Sequence, residues 1–110
     1  NFALLNNAKV LNSTNIYPNL KIWYKLDKNK KYLNVYNRYA HIVIKFTDNN
    51  TTFKLNQSDM FTLNLNYNDI DKLNVKYVLS SENLMSDVKF INKFHSIYEK
   101  DGIYIYKLNN

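Results

Sequence analysis

The chain of 110 residues contains no cysteine, one glycine and one proline. Without cysteine, the sequence excludes disulfides, thiolate nucleophiles and Cys-ligated metals. The single glycine, Gly102, leaves no glycine-rich phosphate loop, and so little glycine and proline disfavours disordered and collagen-like chains. No apolar run approaches the roughly 18 residues that span a bilayer. The composition therefore predicts one folded domain, residues 1–110, with a core of modest size.

Fifteen basic and nine acidic residues give a net charge of +6. Nearly all the excess is lysine, which a low-GC genome also favours, so the charge by itself does not identify a ligand. It does favour polyanionic surroundings such as cell-wall polymers or anionic lipid headgroups. The densest basic stretch comprises Lys25, Lys28, Lys30 and Lys31. We favour a solvated loop at a helix C-terminus, with a contact to polyanions as the functional alternative.

Apolar spacing predicts the secondary structure. Leu20, Trp23 and Leu26 recur at helical intervals and predict a short amphipathic helix over residues 19–26. Branched and aromatic residues predict strands around residues 42–46, 51–55, 60–66, 75–79 and 103–106. Asn68 is predicted to cap a helical turn that ends at Leu73, and Lys100-Asp101-Gly102 is predicted to form a hairpin turn. These elements predict an α+β fold, an antiparallel sheet of five or six strands with one or two short helices. In a domain that served only packing or assembly, 103–106 would be an exposed edge strand.

The sequence offers no catalytic or metal-binding constellation. The two histidines, His41 and His95, lie far apart and form no HxH or HxxxH pair, so we expect no metal site. No serine occupies a GxSxG elbow. Asp69 and Asp71 have the spacing of helix-start carboxylates rather than of a catalytic pair. We therefore predict no catalytic residue and no cofactor in this chain.

Arg38 is the one arginine in a chain that otherwise uses lysine. Its retention indicates a need for the flat guanidinium, which suits backbone carbonyls, a carboxylate, a phosphate or a sugar. We slightly favour a structural role, in which Arg38 pins a loop by bonding carbonyls or one of Asp48, Asp69 or Asp71. The alternative is that Arg38 contacts a phosphate or sugar ligand together with exposed aromatic side chains beside it.

Two blocks of sequence resemble a known family. Residues 9–23 (KVLNSTNIYPNLKIW), 25–27 (KLD) and 35–42 (VYNRYAHI) are similar to the extracytoplasmic region of large polytopic membrane proteins of Gram-positive bacteria, the GT-C-type glycosyltransferases and YfhO-like proteins. Residues 73–80 (LNVKYVLS) resemble a second segment of that region, with Asn74 where the family often has glycine. Residues 98–108 resemble its closing hairpin.

The resemblance implies an extracytoplasmic domain excised from a larger membrane protein, with the transmembrane part of the same polypeptide as its partner. It implies a location at the cell membrane, on the extracytoplasmic side. Catalysis in such proteins is thought to use a membrane-proximal loop that no part of this sequence matches, so no catalytic residue carries over.

The favoured function is a non-catalytic domain of a cell-envelope glycosyltransferase that assists recognition of an acceptor or polymer. Its candidate ligand-binding residues are Tyr17, Trp23, Arg38, Tyr39 and His41. The alternatives are a freestanding module that binds single-stranded nucleic acid, the less favoured partner, and a ligand-free packing or assembly domain. Tyr and Lys interleave as a nucleic-acid platform requires, but without an RNP-like block.

Overall fold

The computed structural model describes residues 2–6, 9–10, 20–84 and 92–109. Eight strands are formed by Phe2–Asn6 (β1), Lys9–Val10 (β2), His41–Thr47 (β3), Thr52–Gln57 (β4), Met60–Asn66 (β5), Tyr77–Ser80 (β6), Phe94–Lys100 (β7) and Ile103–Leu108 (β8). The helices are Leu20–Leu26 (α1), Leu33–Tyr36 (α2) and a 3₁₀ helix, Tyr67–Leu73. The predicted α+β class is confirmed. The described residues group into two compact units, one formed by 2–6, 9–10, 75–84 and 92–109 and the other by 20–74.

The first unit is an antiparallel sheet of five strands in the order β2-β1-β6-β8-β7, which we call the large sheet. Leu4, Val78 and Tyr106 lie directly opposite one another on β1, β6 and β8, and all three are fully buried. Because paired residues of adjacent strands share a face, these three side chains mark the inner face of the large sheet. Phe94 and Leu108 extend the same buried face onto β7 and the end of β8.

The last strand is not an edge strand, so that prediction is wrong. β8 lies between β6 and β7, and the edge on that side of the large sheet is β7. The predicted hairpin turn is confirmed, since Lys100 pairs with Ile103 around Asp101 and Gly102. Both turn residues have positive φ, 56° and 76°, as a two-residue type I′ turn requires.

The second unit contains a mixed sheet of three strands in the order β3-β5-β4, which we call the small sheet. β4 and β5 form an antiparallel hairpin, whereas β3 runs parallel to β5. Phe53, Phe61, Leu63 and Leu65 are buried on these strands, as the alternation of residues predicts, whereas Leu55 is 41% exposed. The strand order requires the loop of residues 48–51 to cross the end of β5.

Asn66 holds that crossing loop at the end of β5. Its Nδ2 donates to the carbonyls of Asp48 and Asn49 at 3.2 and 2.8 Å, and its backbone N–H donates to Thr51 Oγ1. Its Oδ1 accepts from the backbone N–H of Asn68 at 2.8 Å, which makes Asn66 the N-cap of the 3₁₀ helix. The prediction of Asn68 as the cap is therefore wrong by two positions.

The 3₁₀ helix ends at Asn74, which has φ 55° and ψ 35°. This left-handed conformation is one that glycine adopts freely and that asparagine tolerates better than most residues. Glycine would adopt the same conformation at this position without strain.

Helix α1 matches the predicted helix apart from residue 19, which lies outside the described residues. Its residue Trp23 is 2% exposed and packs edge-on against Phe53 and Phe61, with ring centroids 5.8 and 6.1 Å apart. The small sheet and α1 thus share one aromatic core. Helix α2 was not predicted, because four residues are too few to show a helical repeat of apolar positions.

Candidate functional site

The basic residues concentrate in the first part of the sequence. Residues 1–47 hold eight basic residues and one acid, Asp27, whereas residues 48–110 hold seven basic residues and eight acids. The net charge of +6 therefore arises entirely from the first 47 residues. Counting charge along the chain would have revealed this asymmetry from sequence alone.

Four lysines around the end of α1 form what we call the lysine surface: Lys25, Lys28, Lys30 and Lys31. All four side chains are exposed. Within the described part of the chain, none of their amines pairs with a carboxylate; the ion pair at 2.9 Å joins Lys72 to Asp69 instead. Like charges that are neighbours in sequence repel one another, and no ion pair with a residue that the structure describes relieves the repulsion among these four amines. The arrangement is therefore suited to a multivalent anion.

Asp27 is the acid among these lysines, and it is only 7% exposed. Its carboxylate accepts hydrogen bonds from the backbone N–H groups of Lys31 and Tyr32, at 3.1 and 2.8 Å, and from the Tyr36 hydroxyl at 2.9 Å. Three donors thus satisfy a buried charge that would otherwise be very unfavourable. These bonds hold the loop that carries Lys28, Lys30 and Lys31, a role that the sequence analysis missed.

Tyr36 is the buried partner of Asp27. Burial, and then its hydrogen bond to Asp27, raise the pKa of the Tyr36 hydroxyl far above its ordinary value. Burial also raises the pKa of Tyr106, whose hydroxyl accepts from the backbone N–H of Leu84 at 2.9 Å. Both hydroxyls stay protonated at neutral pH and serve as structural hydrogen-bonding groups.

The aromatic rings beside the lysine surface are already in contact with lysine side chains. Lys30 Nζ lies 4.9 Å from the Tyr24 ring centroid, and Lys31 Nζ lies 5.5 Å from that of Tyr32. Tyr24 packs its ring against Tyr36. Each cation–π contact contributes about 0.5–1 kcal/mol at an exposed site and restrains the ammonium group. The two rings therefore restrain Lys30 and Lys31.

Arg38 bonds three backbone carbonyls. Its Nε donates to Val35 O at 2.8 Å, its Nη2 to Asn34 O at 2.7 Å and its Nη1 to Ser58 O at 3.0 Å. The favoured interpretation, that Arg38 pins a loop through carbonyls, is confirmed. The guanidinium joins the end of α2 to the turn between β4 and β5, which explains why lysine does not replace it.

Replacing Arg38 with lysine should lower the free energy of unfolding by about 1–3 kcal/mol, because one ammonium cannot reach three divergent carbonyls. Urea unfolding followed by circular dichroism measures the change. Lys54→Ala is the control, since Lys54 is exposed on β4 and its loss should matter by less than about 0.5 kcal/mol. An Arg38→Lys variant as stable as the parent would contradict this structural role.

The other candidate ligand-binding residues that the structure describes differ in their exposure to solvent. Tyr17 lies outside the described residues. Trp23 belongs to the aromatic core, so its ring faces are closed to a ligand at the surface. Tyr39 is 64% exposed, and His41 is exposed at the start of β3, where its backbone N–H bonds Asp59 O. Tyr39 and His41 are therefore exposed at the surface, while Arg38 and Trp23 serve the fold.

Among the described residues, no three His, Asp or Glu side chains are placed to share a metal ion. His95 lies on β7, and its Nδ1 is 2.6 Å from Asn109 Oδ1. Asp69 accepts a hydrogen bond from the Thr51 hydroxyl and pairs with Lys72. The His95 contact lies within the first unit, and those of Asp69 lie within the second.

A family model described as a domain of unknown function, DUF7654, matches residues 1–110. The chain belongs to the DUF7654 family. No curated protein and no solved structure gives a significant match to it. No helix in the described part of this DUF7654 domain has the length and apolar character needed to cross a membrane.

Proposed function

We propose that this DUF7654 chain is a non-catalytic accessory domain that binds polyanions through the lysine surface, as an extracytoplasmic part of a multi-pass membrane protein. The observation that carries the proposal is the exposure of Lys25, Lys28, Lys30 and Lys31 around one buried acid, Asp27. The ligand chemistry is a run of phosphate or similar anionic groups, as presented by a cell-wall polymer or by lipid headgroups.

The charge is sufficient for such binding. A lysine near an anionic surface contributes about 1 kcal/mol, so four lysines supply about 4 kcal/mol, roughly a thousandfold in affinity. Because exposed charges are screened over about 8 Å at physiological salt, the binding should weaken as salt rises. Tyr24 and Tyr32 restrain Lys30 and Lys31, which lowers the entropy lost when an anion binds.

The accessory role is supported by the hydrogen bonds that several acidic, phenolic and guanidinium groups form within the fold. Asp27 and Tyr36 bond each other, Arg38 bonds three carbonyls, and Asp69 accepts from Thr51. These four groups are thus engaged in hydrogen bonds within the fold. Recognition of a polymer requires exposed charge alone, which the lysine surface provides.

The membrane-protein part of the proposal is supported by the sequence resemblance of residues 9–44 and 70–107. The left-handed conformation of Asn74 adds to that support, because glycine, which the resembling family often has at this position, adopts that conformation freely. A cell-envelope glycosyltransferase is the parent protein that this resemblance favours, with Tyr39 and His41 as the exposed candidates for contact with an acceptor sugar.

Removing two charges from the lysine surface should weaken polyanion binding about tenfold or more. The test compares Lys25→Gln/Lys28→Gln with the charge-matched Lys45→Gln/Lys54→Gln, whose lysines are exposed on β3 and β4. Binding is measured at 0.15 M salt to polyphosphate and to vesicles with and without 30% anionic lipid. The control variant should lose less than threefold.

Three results would contradict the proposal. Equal losses in both variants would mean that net charge, not the lysine surface, is recognised. Absence of binding to polyphosphate and vesicles would leave a packing or assembly domain. Tenfold tighter binding to an oligothymidine than to either would favour the nucleic-acid alternative. Preference for vesicles over polyphosphate, or the reverse, identifies the source of the anionic groups.

Sidedness is tested in cells that express the complete gene product. Because residues 1–110 contain no cysteine, Tyr39→Cys introduces one reactive thiol into this domain at an exposed position. In intact cells, a membrane-impermeant maleimide should label this variant more strongly than the unsubstituted gene product. Labelling that appears only after lysis would place the domain on the cytoplasmic side.

A further inference from the structure

The face of the large sheet opposite its core is also apolar. Tyr98, Ile105, Leu79 and Ala3 lie directly opposite one another across β7, β8, β6 and β1. Tyr77 and Ile103 flank this row on the same face. We call these six residues the outer face. None of them is buried: Tyr98 and Ile103 are 46% and 47% exposed, and the others are partly exposed.

An antiparallel sheet with a packed inner face usually carries polar residues on its other face. Here β8 places tyrosine on the inner face and isoleucine on the outer face. Among the described residues, five large apolar or aromatic side chains are strongly exposed, and three of them, Ile97, Tyr98 and Ile103, lie in the β7–β8 hairpin. Exposed apolar patches of this kind mark surfaces of interaction.

On the outer face the charged side chains of the strands are basic, and the acid next to them along the chain, Asp101, lies in the β7–β8 turn. Lys107 pairs with both His95 and Tyr77, and Lys100 pairs with Ile103, so these basic residues lie on the same face as the apolar row. Glu99 pairs with Tyr104 and points to the inner face. In the described parts of β1, β6, β7 and β8, no acid lies on the outer face.

We propose that the outer face docks on the surface of an anionic lipid bilayer. Isoleucine and leucine side chains would enter the headgroup boundary, tyrosines would lie at the interface, and Lys100 and Lys107 would contact anionic headgroups. This surface belongs to the first unit and goes beyond the proposed function, since it does not use the lysine surface. The charge complementarity selects an anionic bilayer over an apolar partner without charge.

Vesicle binding by Tyr98→Ser/Ile103→Ser tests the docking surface. We expect the partition coefficient on vesicles with 30% anionic lipid to fall about tenfold or more, because two partly exposed apolar side chains are lost. The matched control is Leu55→Ser, which removes an exposed apolar residue from the small sheet. Binding of polyphosphate should be unchanged in both variants, and urea unfolding confirms that each variant is folded.

A fluorophore provides a second and independent measurement. The absence of cysteine allows a single bimane label at Ile103→Cys or, as the control, at Leu55→Cys. The label at position 103 should shift to shorter wavelength on anionic vesicles, whereas the label at position 55 should not. Unchanged emission at 103, or unchanged vesicle binding by the serine variant, would overturn the proposal.

The two proposals fail in different ways. Loss of polyphosphate binding in Lys25→Gln/Lys28→Gln, with vesicle insertion of the label at 103 retained, would support both. If the lysine variant keeps its polyphosphate affinity, the proposed function fails while the docking surface stands. If the serine variant keeps its vesicle affinity, the docking surface fails while the lysine surface stands.

Discussion

Replacing Asp27 with alanine should lower the free energy of unfolding by about 3–5 kcal/mol. The substitution leaves three donors without their acceptor, the N–H groups of Lys31 and Tyr32 and the hydroxyl of Tyr36. Each hydrogen bond to a charged group contributes about 1.5–3 kcal/mol, and part of the loss is recovered by hydration. Urea unfolding followed by the fluorescence of Trp23, the single tryptophan, measures the change.

Glu99→Ala is the matched control, because Glu99 is an exposed carboxylate and its loss should change stability by less than about 0.5 kcal/mol. Tyr36→Phe removes one of the three donors and should have a smaller effect than Asp27→Ala. The two substitutions should not be additive, since both break the same bond. An Asp27→Ala variant that unfolds at the parent's urea concentration would refute the structural role of this carboxylate.

The raised pKa of Tyr36 adds a pH dependence to this result. The folded state holds the Tyr36 proton more tightly than the unfolded state does. Its contribution to stability is therefore complete below the ordinary tyrosine pKa of about 10 and decreases as the pH rises above that value. Between pH 9 and 11, roughly, the parent should lose more stability than Tyr36→Phe.

Replacing Trp23 with alanine should lower the free energy of unfolding by about 3–5 kcal/mol, the usual effect of deleting a large aromatic side chain from a core. Trp23 is 2% exposed and contacts Phe53 and Phe61 edge-on, a geometry that adds to simple burial. Because the substitution removes the fluorescent probe, circular dichroism in urea measures the effect.

Tyr39→Ala is the control for Trp23→Ala. Tyr39 is 64% exposed, so its removal should leave stability within about 0.5 kcal/mol of the parent. The comparison of Trp23→Ala with Tyr39→Ala also separates the two roles that an aromatic residue could have here, packing in the core and contact with a ligand. If Trp23→Ala kept its stability and lost ligand affinity, the tryptophan would be a binding residue and its place in the core would be wrong.

Local chemistry predicted the elements whose stability depends on neighbours in sequence. The spacing of Leu20, Trp23 and Leu26 predicted α1, and Lys100-Asp101-Gly102 predicted a hairpin turn. In the structure, both central residues of that turn have positive φ. The single arginine indicated that a guanidinium was needed, and its bonds to carbonyls agree. The helix and the turn depend on residues that contact one another along the chain, whereas Arg38 also bonds Ser58 from a more distant part of the sequence.

The candidate site was partly visible in the sequence. The sequence pointed to the lysine cluster as a possible contact for polyanions. It also pointed to Trp23, but as a ligand-binding residue, because an aromatic residue beside a basic loop fits either a core or a ligand contact. Asp27 was missed as the residue that holds the loop, since two of its three donors, the Tyr32 N–H and the Tyr36 hydroxyl, are positioned by α2, which the sequence did not predict. Side-chain pairing of this kind depends on tertiary placement.

The sequence by itself determined the α+β class, the position of α1, the closing hairpin turn and the concentration of positive charge in residues 1–47. Only the tertiary structure decided that β3 lies parallel to β5, that β8 is an interior strand and that Asn66 caps the 3₁₀ helix. Alternation within a strand specifies which side chains are buried, but it does not specify the neighbouring strand. That choice depends on how distant segments pack, as when Asn66 bonds the loop of residues 48–51 across the end of β5.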